Sequence, residues 1–179
     1  MNALIQITGK KRHGKDTVTN MLLNQIDRSY RFAFADSMKY ILAETLGITV
    51  NELEEFKNDD TKPHREYLQR FGQKAKGYFG EECWKNIVKK EIASLPKNAT
   101  AIVSDTRYPV ELFGRAIVVK VVNPRIKSTD AHSSETLVEE IKADYIIYND
   151  GTLEDLELKV SHLVNEMMVK GELPKPRSS

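Results

Sequence analysis

A short apolar run, Ala3-Leu4-Ile5-Gln6-Ile7-Thr8, leads straight into Gly9-Lys10-Lys11-Arg12-His13-Gly14-Lys15-Asp16-Thr17. No other feature constrains the fold as much. The spacing is that of a Walker A phosphate loop, G-x-x-x-x-G-K-[ST], with Asp16 where a hydroxyl residue is usual. Two glycines let the backbone curl around a phosphate with its N–H groups inward, and the next helix adds the positive end of its dipole. Lys15 then reaches the outer phosphates as a point charge. A plain strand-to-helix turn carrying basic residues is the alternative. The spacing, the strand before it and the helical pattern after Lys15 favour a nucleotide site, with Gly9, Lys11, Arg12, His13, Gly14, Lys15, Asp16 and Thr17 as its contacts.

A chain of 179 residues suits one domain, here expected over 1–170, followed by a loose tail over 171–179 that carries Pro174 and Pro176. The net charge of +1 gives no reason to expect nucleic acid or a membrane surface as a partner. Cys83 is the only cysteine, so no internal disulfide can form, and a reducing cytoplasm is the expected setting. No secretory signal pattern precedes the first strand. The most apolar stretch, Ala116 to Val122, is too short to span a bilayer and contains Lys120.

Val18, Met21, Leu22 and Ile26 recur at helical spacing and predict a helix over 15–27. Tyr30 to Ala35 reads as a second strand, with Asp36 or Ser37 capping a helix from Met38 to Leu46 that stops at Gly47. Thr49-Val50-Asn51-Glu52 has capping-box spacing. Helices are expected over 64–76 and 81–94, joined near Gly77 and Gly80. Ala101–Ser104, Ala116–Val122 and Tyr145–Tyr148 read as three more strands, and Leu153 to Val169 as a final amphipathic helix. Val- and Ile-rich strands separated by helices imply an α/β fold, a three-layer α/β/α arrangement on a five-stranded parallel sheet. Such sheets bind ligands beyond the carboxyl ends of their strands, where the loops at 9–14, 35–39, 104–108 and 149–152 would converge.

Several residues near those ends have the right chemistry. Asp16 beside a triphosphate would be repelled without an intervening cation, which makes it a metal ligand, direct or through water; alternatively it only favours the helix start. Asp105, past the third strand, sits where a carboxylate orients Mg²⁺ or its waters, and Arg107 could enter the same crevice and fork onto a phosphate. The alternative is a turn held by Asp105 and Pro109, with Arg107 in solvent. Asp36 is either a helix cap or a neighbour of the acceptor hydroxyl or phosphate, with Lys39 one turn on facing the acceptor's charge. Arg65 and Gln69, four apart, share a helix face that could close over a second ligand, whereas Arg70 is rotated away; solvated helix faces often look the same. The segment from Asn123-Pro124-Arg125 to Glu135, through His132, could form a lid over the transferring group. Asn149-Asp150-Gly151-Thr152 is a turn and cap, and is also placed to hold a purine edge through Asn149 and backbone groups at Gly151.

At this point the residues resemble a known family. Gly9 to Thr17, Phe34-Ala35-Asp36-x-x-Lys39, Arg65-x-x-x-Gln69-x-x-Gly72, Asp105-Thr106-Arg107-Tyr108-Pro109, Asp130-x-His132-x-Ser134-Glu135 and Asn149 to Leu153 look like the phage-type deoxynucleoside monophosphate kinases. The resemblance runs over nearly the whole chain in order. It implies a P-loop kinase fold with a small lid at about 123–135 and a helical acceptor-binding insertion at about 36–95. It also implies transfer of the γ-phosphoryl group of ATP, with Mg²⁺, to a deoxynucleoside monophosphate. Lys15 and Asp16 would serve ATP·Mg²⁺, with Asp105 as second metal residue. Arg65, Gln69 and Arg107 would serve the acceptor, with Asp36, Lys39 and Arg70 beside them, and Arg125 would belong to the lid. Lys15, Arg107, Asp36 and Arg125 are thus the candidate catalytic residues. The setting would be cytoplasmic, the host's for a phage-encoded protein, and a homodimer stays open beside a monomer. Two other readings also stay open: a same-fold kinase of another phosphorylated small molecule, such as dephospho-coenzyme A or phosphomevalonate, and a nucleotide-binding module without an acceptor.

Overall fold

A computed structural model of the chain describes residues 2–59, 61–126 and 133–174, with 133–136 as backbone only. Five strands, β1 (Ala3–Thr8), β2 (Ser29–Phe32), β3 (Thr100–Thr106), β4 (Ile117–Val122) and β5 (Tyr145–Tyr148), form one sheet. Every pairing is parallel, and the order is β2-β3-β1-β4-β5. The helices are α1 (Lys15–Gln25), α2 (Phe34–Leu46), α3 (Val50–Asn58), α4 (His64–Phe79), α5 (Cys83–Ala93), α6 (Ser133–Glu140) and α7 (Leu153–Val169), with a 3₁₀ turn at Pro109–Glu111. From β1 the chain crosses to one edge of the sheet, and from β3 it crosses to the other side of β1. That reversal is the switch point at which open α/β sheets leave a crevice.

Contacts group the chain into two compact units, Met1–Phe32 with Ser94–Ser179, and Ala33–Ala93. In the first unit, register aligns Ile5, Ile102, Ile7, Val119, Val121 and Ile147 on one face of the sheet. Val18, Leu22 and Ile26 from α1 and Leu156, Val160, Leu163, Val164 and Met167 from α7 cover that face. Each such side chain contributes about 1.5–3 kcal/mol by leaving water. The opposite face carries Gln6, Thr8 and Lys120, against the 109–113 turn and α6; the Lys120 ammonium donates to the Val138 carbonyl at 3.2 Å.

The second unit is a cluster of four helices. Leu42, Ala43, Leu53 and Leu68 form its centre, ringed by Met38, Ile48, Val50 and Phe71. Gly72 lies inside α4 against the Met38 side chain of α2, whose sulfur would be 2.7 Å from a Cβ there. Phe71 and Trp84 bring α4 against α5 with ring centroids 5.8 Å apart. The capping box at Thr49 and Glu52 forms as its spacing predicts.

Several boundaries differ from the sequence reading. β2 ends at Phe32 and α2 already starts at Phe34, so Asp36 and Ser37 lie in its first turn and Ala33, rather than either of them, is the N-cap. The alternation Phe32-Ala33-Phe34-Ala35 mimics a strand, but Phe34, Met38 and Leu42 also fall four apart on a helix, and their burial wins. α4 continues through Gly77 and stops at Gly80, whose φ of 92° ends it. β3 extends through Asp105 to Thr106, leaving only Arg107 beyond the strand. The segment after α7 is anchored rather than loose up to Leu173, which is buried, while Glu172 accepts from the Tyr145 hydroxyl at 2.8 Å. Residues 175–179 of the expected tail and 127–132 of the expected lid, His132 included, lie outside the described residues. Among the described residues no helix is long and apolar enough to cross a membrane.

Candidate active site

The turn between β1 and α1 has the backbone a phosphate loop needs. Gly9 has φ 143°, Arg12 φ 65° and Gly14 φ 97°. The loop closes on itself where the His13 N–H donates to the Lys10 carbonyl at 3.3 Å. Gly14 is the N-cap of α1 and supplies no side-chain cap, and helix N-termini of this kind attract anions. The Lys15 ammonium donates to the Lys10 carbonyl at 2.8 Å, across the loop's own span. Lys10 itself is ion-paired with Glu139 of α6, and the Lys10 ammonium holds the Glu139 carboxyl below the usual carboxylate range.

The ends of β4 and β5 brace this turn. A Cβ on Gly9 would meet the Val121 carbonyl oxygen at 2.4 Å, so only glycine allows the loop to leave β1 so close to β4. The Asn123 N–H donates to His13 Nδ1 at 3.2 Å. The Asn149 side-chain amide donates to the His13 carbonyl at 3.1 Å. Asn149, expected as a purine contact, is seen here holding the loop. Gly151 begins the turn into α7, where Thr152 and Asp155 form a capping box.

Asp105, near the end of β3, is half-buried, and Arg107, just beyond it, is exposed. Their turn is held from below by two residues that the sequence reading passed over. The buried Glu111 carboxylate accepts the Arg107 N–H at 2.8 Å and the Tyr108 N–H at 3.1 Å. The buried Gln6 amide donates to Thr106 Oγ1 and to the Glu111 carbonyl, both at 3.0 Å. A polar amide in the middle of an apolar strand was the available signal. Arg125 is exposed, its N–H bound to Asn123 Oδ1 at 3.0 Å.

In the helical unit, Arg65 and Gln69 are exposed on α4, and Arg70 pairs with Glu66 at 3.1 Å. Lys39 lies 2.6 Å from Glu54 and 3.4 Å from Asp36, and Glu54 also pairs with Lys57. Burial alone would raise the Glu54 carboxyl, but its hydrogen bonds and charge pairing with Lys39 and Lys57 outweigh that and hold it below the ordinary glutamate range. Burial likewise works against the Lys39 ammonium, and Glu54 with Asp36 still raises it. Glu54 and Lys57 are the members of this cluster that the sequence did not reveal.

Among the described residues no three His, Cys, Asp or Glu side chains gather to hold a metal on their own. Mg²⁺ keeps several waters and takes one or two carboxylates together with substrate phosphates. Asp16, in the first turn of α1, and Asp105 offer such hard oxygen donors.

The fold and the family can be set beside known proteins. The protein TT1252 of Thermus thermophilus superposes with a TM-score of 0.52 at 18% identity, covering 93% of this chain and 98% of that one. A dephospho-CoA kinase from Campylobacter jejuni superposes with a TM-score of 0.50 at 18% identity, covering 97% of this chain and all of that one, 100%. At such identities these likenesses show the fold, the parallel α/β fold of the P-loop kinases. No curated protein matches the chain significantly in sequence. The family model described as deoxynucleotide monophosphate kinase matches residues 47–160, well over half of the chain and beyond the phosphate loop itself. The chain belongs to the deoxynucleotide monophosphate kinase family, phosphotransferases that phosphorylate deoxynucleoside monophosphates.

Proposed function

We propose that the phosphate loop binds ATP and that its γ-phosphoryl group passes directly to the 5′-phosphate of a deoxynucleoside monophosphate, giving ADP and the deoxynucleoside diphosphate. The observation that carries this reading is the loop itself, with left-handed glycines at both ends, an uncapped helix start and Lys15 reaching across. Catalysis of this kind is alignment plus electrostatics. The loop N–H groups and Lys15 bind and orient the β- and γ-phosphates, and Arg107 spreads charge on the transferring group. Mg²⁺, when bound, supplies neutralising charge between the phosphates, with Asp16 and Asp105 holding it or its waters. Arg65, Gln69, Asp36 and Lys39 bind the acceptor, Arg70 flanks them, and Arg125 steadies the transferred group from the lid. No base is required, because the attacking phosphate oxygen is already ionised at neutral pH. The single thiol, Cys83, suits a cytoplasmic setting.

The test is ADP release from ATP with a panel of acceptors: the four deoxynucleoside monophosphates, the matching ribonucleotides, dephospho-coenzyme A and phosphomevalonate. The expected result is ADP formation that depends on one or more deoxynucleoside monophosphates, matched one to one by the diphosphate. Turnover with dephospho-coenzyme A or phosphomevalonate alone would refute the acceptor assignment, and acceptor-independent ATP hydrolysis would refute transfer.

A further inference from the structure

We infer that Gln6 and Glu111 are positioning residues, a buried polar clamp that aims Arg107 and Asp105 at the transferring phosphoryl group. The inference rests on the role proposed above for Arg107. Gln6 has none of its surface exposed and lies among the apolar residues of β1, where an unpaired amide would be costly. Three hydrogen bonds tie it to the segment that carries Arg107: its amide donates to Thr106 Oγ1 and the Glu111 carbonyl, both at 3.0 Å, and its Oε1 accepts the Phe113 N–H at 2.7 Å. Glu111, also buried, then accepts the main-chain N–H of Arg107 itself at 2.8 Å and of Tyr108 at 3.1 Å.

Register supplies a second observation. Gln6 faces Val103, but two residues later Thr8 faces Thr106, so β3 carries one extra residue between Val103 and Thr106. Such bulges re-aim side chains, and they recur beside active sites. Here the bulge turns Thr106 toward Gln6 and lifts Asp105 out of the regular alternation. A phosphate-binding guanidinium displaced by about 1 Å loses about a hundredfold in rate.

The experiment compares Glu111→Ala, the milder Glu111→Gln, Gln6→Leu and Arg107→Ala in the full chain, assayed below the lowest melting temperature of the set. The expected result is a fall in kcat of about ten- to a hundredfold for Glu111→Ala and Gln6→Leu, with the ATP dissociation constant unchanged. Glu111→Gln keeps one acceptor oxygen and recovers part of the loss. The decisive readout is the double variant: Glu111→Ala adds no further fall in kcat once Arg107→Ala is present, because there is nothing left to aim. A clamp that only supports the fold lowers the melting temperature while leaving kcat alone, or multiplies its effect onto Arg107→Ala; either outcome overturns the inference. If Arg107→Ala itself turns over normally, the fault lies in the role proposed for Arg107 instead.

Discussion

The side-chain amide of Asn149, at the end of β5, donates to the main-chain carbonyl of His13, in the middle of the phosphate loop, at 3.1 Å. One hydrogen bond thus ties the loop that follows the central strand to the edge of the sheet. The Asn123 N–H on His13 Nδ1 ties it to β4 in the same way. Both bonds hold the loop's backbone in place, and a braced loop costs less ordering when it binds a ligand.

Removing the tie should therefore weaken nucleotide binding more than it weakens the fold. Asn149→Ala loses one hydrogen bond of about 1 kcal/mol net. The expected outcome is an ATP dissociation constant raised about three- to tenfold by calorimetric titration, with the KM for the deoxynucleotide unchanged. An equal rise in both would mean that Asn149 serves the acceptor.

Gly9 and Gly14 should differ in their tolerance of a side chain. Both have positive φ, so alanine at either strains the backbone by about 1–3 kcal/mol. At Gly14 the new Cβ would meet the movable Asn149 amide, whereas at Gly9 it would meet the Val121 carbonyl oxygen, which is backbone, at the same 2.4 Å. Gly9→Ala is expected to lower the melting temperature further than Gly14→Ala, and both should bind ATP weakly. The reverse order in a thermal melt would contradict the braced-loop geometry.

The Lys39–Glu54–Lys57 cluster gives the fold a pH signature. The Glu54 carboxyl is depressed below its ordinary value of 4.5, so the stability it contributes is full above that value and is lost as pH falls through the folded one. The Lys39 ammonium is raised above 10.5, so its share is full below that value and is lost as pH rises through the folded one. Glu54→Gln should therefore be less stable than the parent near pH 7 and should lose less on acidification toward pH 4. Denaturant titrations at the two pH values check this, and parallel losses in the two proteins would refute it.

How much of this was legible in the sequence differs from element to element. The loop, β5 and α7 were plain, because glycine spacing, a β-branched run and a capping box at Thr152 each signal through local chemistry. The start of α2 was not, since four alternating residues satisfy both periods and tertiary burial of Phe34 decides between them. Arg107 could be picked out as a candidate phosphate ligand, but the hydrogen bonds beneath it could not: Gln6 and Glu111 are 105 residues apart and meet only through the sheet. Glu54 was invisible for a similar reason, as nothing on α3 announces that Lys39 of α2 will face it.

The most direct measurement is phosphoryl transfer by Lys15→Ala, followed as deoxynucleoside diphosphate formed from ATP. Lys15 is half-buried beside the loop and contributes no side chain to the hydrophobic core, so the variant should melt within a few degrees of the parent. The account predicts kcat/KM lower by about a thousandfold or more, as for loss of a charge that stabilises the transferring group. A folded Lys15→Ala that makes the diphosphate at near-parental rates would contradict it.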